Sequence, residues 1–84
     1  MGIDIESFVK KYREILQNYR PKTDDEKRGI NKMLKVLDEG DPVFIDAMLR
    51  IASRACKKSN ADVSREFVEL IEKMKNEFEN IFFK

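Results

Sequence analysis

The sequence contains no histidine and a single cysteine, Cys56. One thiol cannot close an internal disulfide, and without histidine there is no Cys/His metal-ligand spacing. Routes to acid–base or nucleophilic catalysis are correspondingly few, and no glycine-rich loop is present to cradle a phosphate. Only three Gly and two Pro interrupt 84 residues, which favours helix. Charge of one sign is not in excess: 17 Lys and Arg against 16 Asp and Glu leave a net charge of +1. That balance supplies no field for attracting nucleic acid or an anionic membrane. Uninterrupted apolar runs stop at three residues, far below a membrane span. The opening Met-Gly-Ile-Asp-Ile-Glu has neither the basic n-region nor the apolar h-region of a secretory signal, so a cytoplasmic protein is expected.

Hydrophobic residues make up 42% of the chain and charged residues 39%, the balance of a folded helical domain rather than a disordered one. One domain over residues 1–84 is expected, near the small end of what folds unaided. Asp4 is a candidate cap for a first helix, in which Ile5, Phe8, Val9, Tyr12, Ile15, Leu16 and Tyr19 keep a three-four spacing. Arg20-Pro21 stops it. Thr23-Asp24-Asp25-Glu26 has the pattern of a capping box and opens a second helix with the stripe Ile30, Met33, Leu34, Leu37. Gly29 costs that helix about 1 kcal/mol against alanine, which points to a close helix contact. Gly40, Asp41 and Pro42 end the second helix, cap the third and open it.

The third helix has the widest apolar face. Phe44, Ile45, Ala47, Met48, Leu49, Ile51, Ala52, Ala55 and Cys56 cover an arc of roughly 200° at ~100° per residue. The expectation is that this helix is the most buried, with Met48 near the centre of its core face and Arg54 opposite. A fourth helix carries Val63, Phe67, Leu70, Ile71, Met74, Phe78, Ile81 and Phe82 on one stripe. Helices near residues 4–20, 24–39, 42–58 and 62–82, joined by short loops, predict an all-α fold: an antiparallel up-and-down four-helix bundle. The last helix should overhang the others by about five residues, or roughly 8 Å.

Two surfaces are candidates for function. Phe78, Ile81, Phe82 and Phe83 give the chain an apolar end, which packs against Ile3, Ile5 and Phe44 or projects as a partner-binding tip. An up-and-down bundle would bring Asp38, Glu39, Asp41 and Asp46 beside that tip. Asp38 and Glu39 stand where their own helix dipole disfavours anions, and stability does not explain them. The other surface is a basic cluster of Arg50, Arg54, Lys57, Lys58 and Arg65. The run I-A-S-R-A…D-V-S-R-E-F-V is faintly like a helix-turn-helix, but Cys56 or Ser59 stands where that motif wants glycine. A solvated face with cations matched to a helix C-terminus explains the cluster better, and it argues against nucleic acid as the partner. Cys56 reads as a small core residue rather than a reactive thiol.

From Thr23 onward the chain resembles the cytosolic immunity proteins of pediocin-like bacteriocins, of the enterocin A immunity type. The matching runs are D-D-E-K-R-G-I-N-K-M-L-K-V-L-D-E-G-D-P, V-F-I-D-A-M-L-R-I-A-S-R-A-C-K-K and D-V-S-R-E-F-V-E-L-I-E-K-M. Residues 4–19 would supply that family's first helix. The resemblance implies a four-helix antiparallel bundle that protects its host from a bacteriocin. It would act by protein–protein interaction at the inner membrane face, on the complex of the cationic peptide with its permease receptor. It implies no catalysis and no cofactor. The alternative from the residues is a small helical regulator or adaptor that binds nucleic acid or dimerises; the oligomeric state is not legible.

Overall fold

Capping chemistry sets the helix boundaries. The computed structural model describes residues 4–58 and 60–82, with Phe82 represented by its backbone alone. Four helices follow in order: α1 (Ile5–Asn18), α2 (Asp24–Glu39), α3 (Pro42–Cys56) and α4 (Arg65–Phe82). No strand occurs among the described residues. Asp4 caps α1 by accepting from the Ser7 N–H at 2.8 Å, and Thr23 Oγ1 caps α2 by accepting from Glu26 N–H at 3.1 Å. Asp41 accepts from Val43 N–H at 2.9 Å, with Pro42 in the first turn of α3. Gly40 closes α2 in the left-handed region at φ 72°, which a side chain would resist.

The helices form an antiparallel four-helix bundle in which α1 and α3 each lie between α2 and α4. Ring contacts fix the α1–α4 register. Phe8 meets Phe78 edge-on at 5.3 Å near one end, and Tyr19 meets Phe67 at 5.9 Å near the other. One core runs the length of the bundle: Phe8, Tyr12 and Leu16 from α1, Ile30, Met33 and Leu37 from α2, then Ile45 and Leu49 from α3. Phe67, Ile71, Met74 and Phe78 complete it from α4. Gly29 does mark a close approach, since a Cβ there would sit 3.1 Å from the buried Phe67 ring.

Three boundaries differ from expectation, the first being the end of α1 at Asn18 rather than Arg20. α3 stops at Cys56 rather than Lys58. α4 starts at Arg65 rather than Asp62, because Ser64 is its cap, accepting from Phe67 N–H at 3.2 Å. With 18 residues against 14 to 16 elsewhere, α4 exceeds its neighbours by about two to four residues, or ~3–6 Å. Ile3 and Ser59 lie outside the described residues.

The larger correction concerns α3. It is the helix least committed to the core: beside Ser53, only Ile45 and Leu49 are buried. Phe44 is 57% exposed and Ile51 65%, while Met48 is half-buried. Phe44 therefore does not pack under the end of α4. A helix in a square bundle has two neighbours, and here they take up only the Ile45–Leu49 side of the ~200° arc.

Core and surface positions on α3 should separate in denaturant melts. Leu49→Ala should cost about 2–5 kcal/mol. Met48→Ala should cost less than half as much, and Ile51→Ala under about 1 kcal/mol. Equal costs at Leu49 and Ile51 would contradict the orientation of α3.

Candidate functional site

Among the described residues the fully buried charged one is Glu26. One carboxylate oxygen accepts from Lys22 N–H at 2.9 Å and the Tyr19 hydroxyl at 3.0 Å. The other accepts from Ser64 N–H at 2.6 Å. Thr23 Oγ1 donates to the Asp62 carbonyl at 2.6 Å, and Asp62 N–H reaches Asp25 at 3.3 Å. The reciprocal bond of a capping box, back to Thr23 N–H, is replaced by these longer-range partners. Glu26 thus ties the end of α1, the α1–α2 loop and the α3–α4 loop together. Burial penalises its charge, but the bonds from Lys22, Ser64 and Tyr19 outweigh that and hold its pKa below the ordinary value. Tyr19 moves the other way: burial and the adjacent carboxylates keep its phenol protonated to higher pH.

Other groups that could carry chemistry are likewise engaged in the bundle. Glu77 accepts from the Tyr12 hydroxyl and from Lys11 at 2.7 Å, joining α4 to α1. Glu72 accepts from the buried Ser53 hydroxyl and joins α4 to α3. Half-buried Cys56 has its thiol pKa raised, first by burial and then by Glu72 and Glu26, so it is a protonated packing group rather than a nucleophile. No group of three or more His, Cys, Asp or Glu able to hold a metal occurs among the described residues. No helix among them is long and apolar enough to cross a membrane.

The fold distributes the predicted partner residues unevenly. Phe78 is 1% exposed and belongs to the core, so it is not a contact for a partner; its ring fills the space beside Phe8. Ile81 is half-buried against the same core. The Phe82 side chain and Phe83 lie outside the described residues. Asp38, Glu39 and Asp41 are exposed at the turn between α2 and α3. Asp38 pairs with Arg13 of α1 at 3.3 Å, and Asp41 is occupied in part by its capping bond. Of the basic cluster, Arg50, Arg54, Lys57, Lys58 and Arg65 are all exposed. Arg50 pairs with Asp46 at 3.1 Å and Arg65 with Glu69 at 3.7 Å, each within its own helix.

Two features were not foreseen. Val43, 66% exposed, and Phe44 follow Asp38, Glu39 and Asp41 within a few residues, in the first turn of α3, so exposed apolar side chains continue the acidic turn. An open groove of about 690 Å³ also runs between α2 and α3, with Val36, Met48, Ile51 and Ala55 among its lining residues. Lys32, Lys35 and Lys58 line it and make no ion pair with another described residue, whereas Arg28 pairs with Asp25 at 2.6 Å. The signal was in the sequence: an apolar arc of ~200° is wider than two neighbours can cover. Compared with protein-family models, curated proteins and solved structures, the chain has no match.

The Glu26 junction makes stability depend on pH. Because its folded pKa is depressed from 4.5, its contribution is complete above the unfolded value and is lost as pH falls through the folded one. Glu26→Gln should therefore be less stable than wild type at pH 7, and the gap should narrow on acidification below about pH 4. Denaturant titrations across pH check this; a gap independent of pH would show that folding does not shift the Glu26 pKa, and a gap that widens on acidification would show that Glu26 folds uncharged. Glu26→Ala, which strands buried donors at about 1–3 kcal/mol each, should be worse at pH 7.

Proposed function

We propose that this chain is a non-catalytic immunity protein of the kind its resemblance to the pediocin-like bacteriocin immunity family implies. It acts in the cytoplasm, at the inner face of the membrane, by binding the complex of bacteriocin and receptor. The observation that carries this reading is the surface at the α2–α3 turn. Asp38 and Glu39 occupy the last turn of α2, which has no basic residue of its own and where the helix dipole opposes them; Arg13 of α1 pairs with Asp38 alone, at 3.3 Å. Beside them Val43 and Phe44 are exposed. Apolar side chains bordered by carboxylates complement a cationic, amphipathic partner. Engagement of Glu26, Glu72 and Glu77 in holding the bundle fits a binding role better than a catalytic one. The nucleic-acid alternative is weaker, since Arg50 and Arg65 are paired with carboxylates within their own helices.

Expression in a bacteriocin-sensitive strain tests the reading. Wild type should protect, and the double variant Asp38→Lys, Glu39→Lys should not. The same variant should keep its helical signal and change little in stability, because cations suit that end of the helix by about 0.3–1 kcal/mol each, which offsets loss of the exposed Arg13–Asp38 pair. Protection undiminished by the charge reversal would move the site elsewhere. Absence of protection by the wild type against this class of bacteriocin would overturn the proposal.

A further inference from the structure

α3 carries two apolar faces. Ile45 and Leu49 point into the core, and Phe44, Met48, Ile51 and Ala55 form a second stripe roughly 100° away round the helix. The second stripe extends for about 17 Å. Of its members, only Met48 is even half covered by the rest of the chain.

We propose that this stripe is the interface of a homodimer in which α3 of one copy pairs antiparallel with α3 of a second copy about a twofold axis. The stripe is complementary to its own reverse. Centring the axis between Leu49 and Arg50 places Phe44 opposite Ala55 of the second copy and Met48 opposite Ile51. The largest side chain thereby meets the smallest, and the two of intermediate size meet each other. The ends match in charge: Asp41 lies level with Lys58 of the second copy, and both residues are exposed. Lys58 makes no ion pair with another described residue of its own chain. A parallel pairing would instead set Asp41 against Asp41 and Lys58 against Lys58. A slip of the antiparallel pair by one turn sets Phe44 against Ile51 or leaves it beyond the helix end. An isologous contact satisfies every position twice, which is why one helix suffices to define it.

The stripe is narrow, so the α2 side of the groove must contribute to the contact, and half-buried Val36, which lines it, is positioned to do so. Even so, the buried area falls towards the small end for specific interfaces, and dissociation in the micromolar range is expected. Oligomeric state is measured without reference to protection, so the dimer is tested apart from the immunity reading; because it covers Phe44, dimer and bacteriocin complex compete for that residue.

Sedimentation of the full chain from roughly micromolar to roughly millimolar concentration tests the proposal. The weight-average mass should rise from 9.9 kDa towards twice that value. Ile51→Glu, at a position 65% exposed, should leave the circular dichroism and melting curve unchanged and weaken association at least tenfold. Register is read by cross-linking in a Cys56→Ala background with a short thiol-reactive bifunctional reagent. Chains carrying Phe44→Cys and Ala55→Cys should cross-link when mixed, and neither should cross-link alone. A chain that stays monomeric throughout would overturn the proposal, as would association unaffected by Ile51→Glu. Efficient self-cross-linking of the Phe44→Cys chain would also overturn it, since that reports parallel pairing. Monomeric chain that binds an acidic amphipathic helical peptide, or anionic vesicles, through Ile51 would assign the stripe to another occupant.

Discussion

The Glu26 carboxylate joins parts of the bundle that hydrophobic packing alone leaves loose. Loops between short helices have little apolar surface, and their backbone N–H groups need acceptors. Glu26 supplies them for Lys22 and Ser64 and takes a third bond from Tyr19, so two loops and the end of α1 meet at one anion. A buried charge without those donors would be strongly destabilising; with them it is held ionised. The same junction explains where α4 begins. Ser64 N–H is bound to Glu26 and the Asp62 carbonyl accepts from Thr23, which keeps residues 62–64 out of the helix until Ser64 caps it.

At the other end the constraint is aromatic. Phe8, Tyr12 and Phe78 fill the space between α1 and α4, with Phe8 and Tyr12 at 4.8 Å and Phe8 and Phe78 at 5.3 Å. Glu77 adds a polar clasp to Tyr12 and Lys11 outside those rings. α1 and α4 are thereby fixed at this end, as the Tyr19–Phe67 contact fixes them at the other. α3 is held by fewer large side chains and keeps part of its apolar surface in water. Such exposure has a free-energy cost of about 25 cal/mol per Å² of apolar area. The two surfaces proposed for recognition both draw on it: Val43 and Phe44 beside the acidic turn, and the stripe continuing to Ala55.

Much of the fold follows from residues acting within a few positions of one another. Asp4, Thr23, Asp41 and Gly40 cap or end helices through contacts spanning two to four residues, and the three-four spacing of the apolar residues names the core faces of α1, α2 and α4. These local rules settled the number of helices, their order and their antiparallel packing. They also picked out Gly29 as a point of close contact, though not Phe67 as the residue that makes it.

Tertiary structure decided what periodicity leaves open. The sequence of α3 offers an arc wider than two neighbours can cover, and which half turns inward depends on how Ile45 and Leu49 fit the space between α2 and α4. Nothing local to α3 encodes that choice, so Met48 read as central and Phe44 as covered. Glu26 read as a local cap because its position three residues after Thr23 is the pattern of one. Its actual partners include Ser64, 38 residues away, and only the closed bundle brings that N–H within reach. The acidic turn was legible as an anomaly of charge against dipole; its apolar neighbours Val43 and Phe44 were not, because exposure is a property of the assembled fold.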